Sequence, residues 1–310
     1  MEDRYVYVGN VRTRYRAAGE RGPALVLLHG LGASLEAWYF NIKPLGQHFH
    51  VFAPDIVWFG KSDKPRHDPT LEFFAQFIVN FMDAVGVKRA TLVGNSMGGM
   101  IATITTLQYP ERVEGLVLVN SAGFGRELSL YLRLRSLISF VKDIRPSRGA
   151  VRLALRQIFY DASVITEEMV DLFVGLGGEP GSALAYHKVI RSGVDWRGMK
   201  KGVLARVRDS AHRINVPTLV VWGKQDRAIP VAHAQVAQQR IPNAQLHIFD
   251  PCGHAPQLER ANEFNELVTE FVQRRVVKSS NGRAVNRSIS HLLKRSLDSV
   301  TRRPFNHPTT

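Results

Sequence analysis

The chain has 310 residues, of which 45% are apolar and 22% charged, and its formal net charge is +14. This composition is typical of a folded globular protein and excludes a disordered, collagen-like or coiled-coil chain. No apolar run reaches the roughly 18 residues of a membrane-spanning helix, so an integral membrane protein is not expected.

Strands and helices alternate along most of the chain. Apolar runs and turn residues predict strands at 5–8, 11–17, 24–28, 51–53, 90–94, 113–119, 218–222 and 245–249. Apolar residues at helical spacing predict helices at 71–85, 97–109, 231–240 and 262–275. This alternation predicts an α/β fold with a mostly parallel, doubly wound sheet that is covered by helices on both faces.

One helical segment interrupts the alternation. Residues 126–213 show helical periodicity, many arginines and no buried-strand pattern, and their first helix is expected at 128–144. We therefore predict a core formed by 1–125 and 214–275, with 126–213 inserted as a cap. Residues 276–310 form a basic tail, whose apolar residues between Val285 and Val300 predict an amphipathic helix or a disordered segment.

The positive charge is concentrated in two places. Residues 126–213 carry +7 and residues 274–310 carry +8, whereas 1–125 and 214–273 carry +1 and −2. No nucleic-acid-binding motif accompanies this charge, so a nucleic-acid partner is not predicted. The tail suits peripheral contact with an anionic membrane, or else has no partner. The sequence leaves the oligomeric state open.

The N-terminal residues and the cysteine content indicate the compartment. The chain begins with acidic residues and no apolar secretory segment, and it has a single cysteine, Cys252. One cysteine excludes an intrachain disulfide and a metal site made of several cysteines. We therefore expect a cytoplasmic protein.

The segment from Gly94 to Gly98 has the pattern G-x-S-x-G between a predicted strand and a predicted helix. In this context the pattern is typical of a sharp turn that exposes a nucleophilic serine, here Ser96, at a helix N-terminus. Glycine is needed on both sides because the turn is too tight for larger side chains. The alternative is a glycine-rich turn with a capping serine.

A serine nucleophile needs a histidine base and an acid that holds the histidine. Asp226 follows the strand predicted at 218–222, and His254 follows the strand predicted at 245–249. The order Ser96, Asp226, His254 is that of the α/β-hydrolase triad. Asp250 is a competing acid, which we assign to the turn before His254.

The remaining site residues are predicted near this triad. Acyl transfer needs two backbone amides facing the developing oxyanion, and we assign these to Leu31 and Met97. Five further residues are predicted to contact substrate: Gly30, Gly32, Trp38, Phe40 and Asn95.

These motifs resemble those of α/β-hydrolase-fold serine hydrolases over about residues 3–275. The resemblance rests on His29–Gly32, 55–65, Gly94–Gly99, Gly223–Asp226 and Cys252–His254. The segments GNSMGG and 241–272 are similar to the meta-cleavage-product hydrolases, which cleave a carbon–carbon bond in vinylogous diketo acids. The resemblance implies a Ser-His-Asp triad and no metal or organic cofactor.

Three positions depart from that group. Ala255 replaces a tryptophan, Asn41 stands one place later than the expected asparagine, and 171–178 lacks the arginine that holds the substrate's carboxylate, with Arg191 nearby. These departures favour a less polar substrate, so we expect a serine carboxylesterase or lipase-like enzyme acting on a small-molecule ester. The alternatives are a carbon–carbon bond hydrolase of meta-cleavage products, a perhydrolase with the same triad, and a non-catalytic ligand receptor.

Overall fold

The computed structural model of the chain describes residues 1–138 and 145–280, with side chains described as far as Arg274. Residues 1–269 form one compact unit, and a second begins at Glu270. In the described part of the chain, no helix is both long and apolar enough to cross a membrane. The helix predicted within 285–300 lies outside the described residues.

Ten strands are present in the described residues. They are β1 (Arg4–Val8), β2 (Val11–Ala18), β3 (Ala24–Leu28), β4 (His50–Pro54), β5 (Ala90–Asn95), β6 (Val113–Val119), β7 (Val194–Asp195), β8 (Gly198–Met199), β9 (Thr218–Gly223) and β10 (Gln245–Phe249). The helices are α1 (Tyr39–Leu45), α2 (Leu71–Ala84), α3 (Met97–Gln108), α4 (Leu130–Leu137), α5 (Arg148–Ile158), α6 (Glu167–Gly177), α7 (Ser182–Gly193), α8 (Lys201–Arg206), α9 (Ala232–Arg240), α10 (Pro256–Glu259) and α11 (Ala261–Ser280).

Eight strands form one sheet in the order β1-β2-β4-β3-β5-β6-β9-β10. The pairs β1–β2 and β2–β4 are antiparallel, and all other pairs are parallel. Every residue of β5 and β9 is buried, which is why these strands have continuous apolar runs instead of alternation. The sheet confirms the predicted α/β architecture, and the carboxyl ends of its central strands meet at one edge.

Capping hydrogen bonds and packing on the sheet fix the positions of two core helices, α2 and α3. Thr70 caps α2 by accepting a hydrogen bond from the Phe73 amide at 3.1 Å, and apolar residues from Phe74 to Met82 face the core. Helix α3 packs on β5 and β6, and its threonines bond back to carbonyls four residues earlier. This packing fixes the N-terminus of α3 at the carboxyl edge of the sheet.

The cap differs from its predicted outline in two ways. The helix predicted at 128–144 is wrong in its extent, because α4 runs only from Leu130 to Leu137 and Ile138 is extended; residues 139–144 lie outside the described residues. The cap also contains the hairpin β7–β8, whose two-residue strands are too short to give a sequence pattern.

In the core, helix α1 was not predicted either, since Pro44 lies within it.

Candidate active site

Ser96 lies on a strained turn between β5 and α3. Its φ is 57° and its ψ is −116°, a conformation that L-residues rarely adopt. A Cβ atom on Gly94 would lie 2.3 Å from the Gly98 carbonyl oxygen, and one on Gly98 would lie 2.2 Å from the Leu28 carbonyl oxygen. Both positions therefore require glycine, as the motif predicts, and the turn places the Ser96 side chain at the carboxyl edge of the sheet.

His254 is bound to a buried carboxylate at the same edge. Its Nδ1 donates to Asp226 Oδ2 at 2.7 Å, and the Asp226 side chain is fully buried. Asp226 Oδ1 accepts from the amides of Ala228 and Ile229 at 2.7 and 2.9 Å. Because Nδ1 carries the proton, Nε2 of His254 is left to act as the base.

Asp250 serves the turn, as expected. Its two carboxylate oxygens bind Lys224 Nζ at 2.6 Å and Gln225 Nε2 at 2.7 Å. Lys224 also lowers the pKa of Asp250, together with the hydrogen bond from Gln225. The carboxylate that holds His254 is therefore that of Asp226.

Asn120 is a site residue that the sequence did not indicate. It follows β6, is fully buried and has a positive φ of 46°. Its Nδ2 donates to Asp226 Oδ2 at 2.7 Å, the same oxygen that His254 binds, and to the Gly253 carbonyl at 3.4 Å. Its Oδ1 accepts from the Gly223 amide at 3.3 Å. Asn120 thus joins the loop of Asp226 to the loop of His254.

The loop after β3 contributes the second backbone amide. Ile56 N–H donates to Nε2 of His29 at 2.9 Å, so Nδ1 of His29 carries the proton and donates to the Gly30 carbonyl at 2.8 Å. The Ala33 amide binds the same carbonyl at 3.2 Å. Since a trans peptide directs C=O and N–H in opposite directions, this fixes where the Leu31 N–H points.

The amides of Leu31 and Met97 both border the same cavity as Ser96 and His254. Neither amide donates a hydrogen bond to any described residue. Free donors beside a nucleophile are what an oxyanion requires. Burial lowers the pKa of His29, which keeps the imidazole behind this loop neutral.

The cavity lies between the core and the cap and has a volume of about 1130 Å³. That is slightly above the roughly 300–1,000 Å³ usual for small-molecule sites. Cap side chains such as Leu155 and Phe159 form much of its wall, and Ala255 borders it beside His254. The cavity wall near these residues is therefore mainly apolar.

The cap also places a cation in the cavity wall. Arg135 on α4 borders the cavity, its guanidinium lies 5.3 Å from the ring centre of Tyr186, and its buried Nε has no hydrogen-bond partner among the described residues. Tyr186 in turn packs on the loop after β3, where a Cβ on Gly32 would lie 2.8 Å from the tyrosine ring. Burial raises the pKa of Tyr186, so its hydroxyl stays protonated.

The predicted substrate contacts fall into two groups. Gly30, Gly32 and Asn95 border the cavity, and Asn95 Nδ2 also donates to the His254 carbonyl at 3.1 Å. Trp38 and Phe40 are not among the described residues that border it. Trp38 is fully buried against Phe264, and Phe40 is 51% exposed. The structure therefore does not bring these two aromatic residues to the cavity: Trp38, which directly precedes α1, points inward, and Phe40, within α1, points outward.

The cap is tied directly to the His254 loop. The His254 amide donates to the Ile158 carbonyl at 2.7 Å, at the end of α5. Glu259 Oε1 accepts from the Gly253 amide and Oε2 from the Tyr160 amide, both at 2.8 Å. The backbone of the proposed base is therefore held in part by the cap.

Known proteins share this architecture. Residues 23–140 and 180–261 match the family described as alpha/beta hydrolase fold. The 2-hydroxy-6-oxo-6-phenylhexa-2,4-dienoate hydrolase of Burkholderia cepacia is 32% identical over 276 residues, which is 86% of this chain and 92% of that protein. A meta-cleavage product hydrolase from Pseudomonas fluorescens superposes with a TM-score of 0.77 at 28% identity, covering 87% of this chain and 97% of the other. A putative lipase from Acinetobacter baumannii superposes with a TM-score of 0.78 at 26% identity, covering 89% and 92%. The chain belongs to the alpha/beta hydrolase family.

Proposed function

We propose that this hydrolase is a serine esterase that cleaves carboxylic esters through an acyl-enzyme intermediate. One observation carries the proposal: the His254–Asp226 pair, the turn of Ser96 and the free amides of Leu31 and Met97 meet at one cavity. A nucleophile, an oriented base and two unused donors are the components of acyl transfer.

In the proposed reaction, Ser96 Oγ attacks the ester carbonyl carbon while His254 Nε2 takes its proton. The amides of Leu31 and Met97 bind the resulting oxyanion, and Asp226 stabilises the imidazolium. His254 then protonates the departing alcohol. Water, deprotonated by His254, attacks the acyl-enzyme and releases the carboxylic acid and free Ser96.

The cavity wall supports short to medium acyl or lipid-like esters. Its apolar cap side chains favour the transfer of an acyl chain from water. Ala255, which borders the cavity, presents a smaller and less polar side chain than the tryptophan that the similar meta-cleavage-product hydrolases usually have there. The likeness to a putative lipase supports the same substrate class.

Arg135 favours a second candidate, the carbon–carbon bond hydrolysis of meta-cleavage products. Such dienoates carry a carboxylate, and a guanidinium with an unpaired Nε in the cavity wall suits an anion. The hydrolases of this kind from Burkholderia cepacia and Pseudomonas fluorescens are similar over most of the chain. This candidate uses the same triad.

Two substrates and the variant Arg135→Gln separate these functions, and Ser96→Ala tests the nucleophile that both would use. Ser96→Ala should abolish multiple turnover of p-nitrophenyl butyrate, and activity that survives in pure protein would refute Ser96 as the nucleophile. We expect a higher kcat/KM for this ester than for a 2-hydroxy-6-oxo-dienoate. A dienoate preferred by tenfold or more, together with loss of that preference in Arg135→Gln, would establish the second candidate instead. Arg133→Gln is the matched control, because Arg133 lies on the same helix but does not border the cavity.

A further inference from the structure

Helix α4 of the cap has two apolar faces, and only one of them is covered. Tyr131, Leu132 and Arg135 border the catalytic cavity. On the opposite side, Leu130, Leu134 and Leu137 are 63%, 54% and 56% exposed. Residues spaced three and four apart form one stripe on a helix, so the three leucines make a continuous outer face.

An exposed tryptophan lies beside this helix. Arg133 Nε donates to the Trp196 carbonyl at 2.8 Å and so joins α4 to the turn of the β7–β8 hairpin. Trp196 is 56% exposed, and the Arg197 guanidinium lies 4.7 Å from its ring centre. We call Leu130, Leu134, Leu137 and Trp196 the cap stripe. Large apolar side chains exposed together on one side of a protein often mark a binding surface.

The charge around the cap stripe indicates what the partner is. Helix α4 contains no acidic residue, and Arg133 and Arg197 flank the stripe. The whole segment 126–213 carries +7. A leucine stripe with a tryptophan and arginines at its border has the chemistry of a surface that enters the headgroup region of an anionic bilayer.

We propose that the cap stripe docks this enzyme on anionic phospholipid membranes. Docking brings the outer face of α4 to the bilayer while its inner face borders the catalytic cavity. This interaction is independent of which bond Ser96 cleaves, and it is separate from any contact that the basic tail makes.

The tryptophans of the chain make the contact directly measurable. There are four, and Trp38, Trp58 and Trp222 are at most 1% exposed, so Trp196 is the one that can meet lipid. Full-length protein is mixed with vesicles of brominated phosphatidylcholine containing about 30% phosphatidylglycerol. The bromine atoms should quench Trp196 fluorescence, and Trp196→Phe should remove the quenched component.

Variants of the stripe test the residues responsible. Leu134→Gln/Leu137→Gln should weaken vesicle binding about tenfold, because two half-exposed leucines no longer enter lipid. Leu153→Gln is the matched control, since Leu153 is 57% exposed on a different cap helix, α5. Arg197→Glu should weaken binding to the anionic vesicles and leave binding to pure phosphatidylcholine unchanged.

Three results would overturn the proposal. One is vesicle binding without quenching of Trp196, which assigns the contact to another surface such as the tail. Another is equal affinity for the double leucine variant and Leu153→Gln. The third is self-association without lipid that the double variant abolishes, which assigns the stripe to a second copy of the chain.

Discussion

Asn120 offers a sharp test of how the proposed triad is held. It donates to the Asp226 oxygen that also binds His254, and both distances are 2.7 Å. Asn120→Gly removes the amide while keeping a residue that tolerates the positive φ. Asn120→Asp keeps the shape but replaces the donor with a second carboxyl group.

The expected loss of activity follows from the number of hydrogen bonds that the Asp226 carboxylate accepts. Its carboxylate accepts four hydrogen bonds, from Ala228, Ile229, Asn120 and His254. A hydrogen bond to a charged group contributes ~1.5–3 kcal/mol. If that stabilisation is needed when His254 becomes an imidazolium, Asn120→Gly should lower kcat/KM by about 10- to 100-fold.

The aspartate variant should change the pH profile as well. When the new carboxyl group is ionised, it places a second negative charge beside the Asp226–His254 pair, and that charge favours the protonated imidazole. We therefore expect the acid limb of kcat/KM for p-nitrophenyl butyrate to move to higher pH in Asn120→Asp. If Asn120 has only a structural role, Asn120→Asp should lower the free energy of unfolding without moving the acid limb of kcat/KM.

Asn243 provides the matched control for both variants. It also has a positive φ, 58°, but it is exposed before β10 and does not border the cavity. Asn243→Gly and Asn243→Asp should keep kcat/KM and its pH profile within about twofold. If the two Asn120 variants also keep kcat/KM and its pH profile within about twofold, the role that we assign to Asn120 is refuted.

Two further predictions concern the surroundings of the proposed triad. Gly98→Ala should lower the thermal unfolding midpoint and abolish activity, because its Cβ would lie 2.2 Å from the Leu28 carbonyl oxygen; a variant with normal stability and kcat would contradict this. Burial lowers the pKa of His29, so below about pH 6.5 the unfolded state takes up a proton that the folded state does not. Stability should therefore fall as pH falls below that value, and denaturant titrations of His29→Asn should give a shallower fall than the unaltered protein.

The sequence was most informative where one local pattern determines the geometry. The strand–G-x-S-x-G–helix context predicted the turn at Ser96, and the steric limits at Gly94 and Gly98 explain why. The order of strands and polar residues also singled out Asp226 over Asp250. These inferences need only neighbouring residues and the rule that parallel strands end at one edge.

Other parts of the site depend on contacts between distant segments. Asn120 reaches Asp226 because β6 pairs with β9, as in the hydrogen bond from the Asn120 amide to the Val221 carbonyl. No pattern near Asn120 carries that information. Trp38 and Phe40 do not border the cavity, because their directions depend on how the chain enters α1. The first cap helix is shorter than predicted, because the extended residue Ile138 ends it within a continuous apolar pattern.

The contact between the cap and His254 leads to a last prediction. Glu259 bridges the Gly253 amide in the His254 loop and the Tyr160 amide in the cap. Glu259→Ala removes both acceptors and leaves these amides to find other partners. Each lost hydrogen bond to a carboxylate costs ~1.5–3 kcal/mol, so the cap and the His254 loop should separate locally more often.

We expect Glu259→Ala to lower kcat at least tenfold, because His254 loses part of the support that aligns it with Ser96. Hydrogen exchange at the amides of Gly253 and Tyr160 should accelerate together. Glu263→Ala is the control, since Glu263 forms a surface ion pair with Arg260 and should change kcat less than twofold. Faster exchange at Tyr160 with an unchanged kcat would mean that the cap can part from the His254 loop without disturbing the base. In that case the contacts with the core, from Asp226 to the His254 ring and from Asn95 to the His254 carbonyl, would be enough to hold His254 in place.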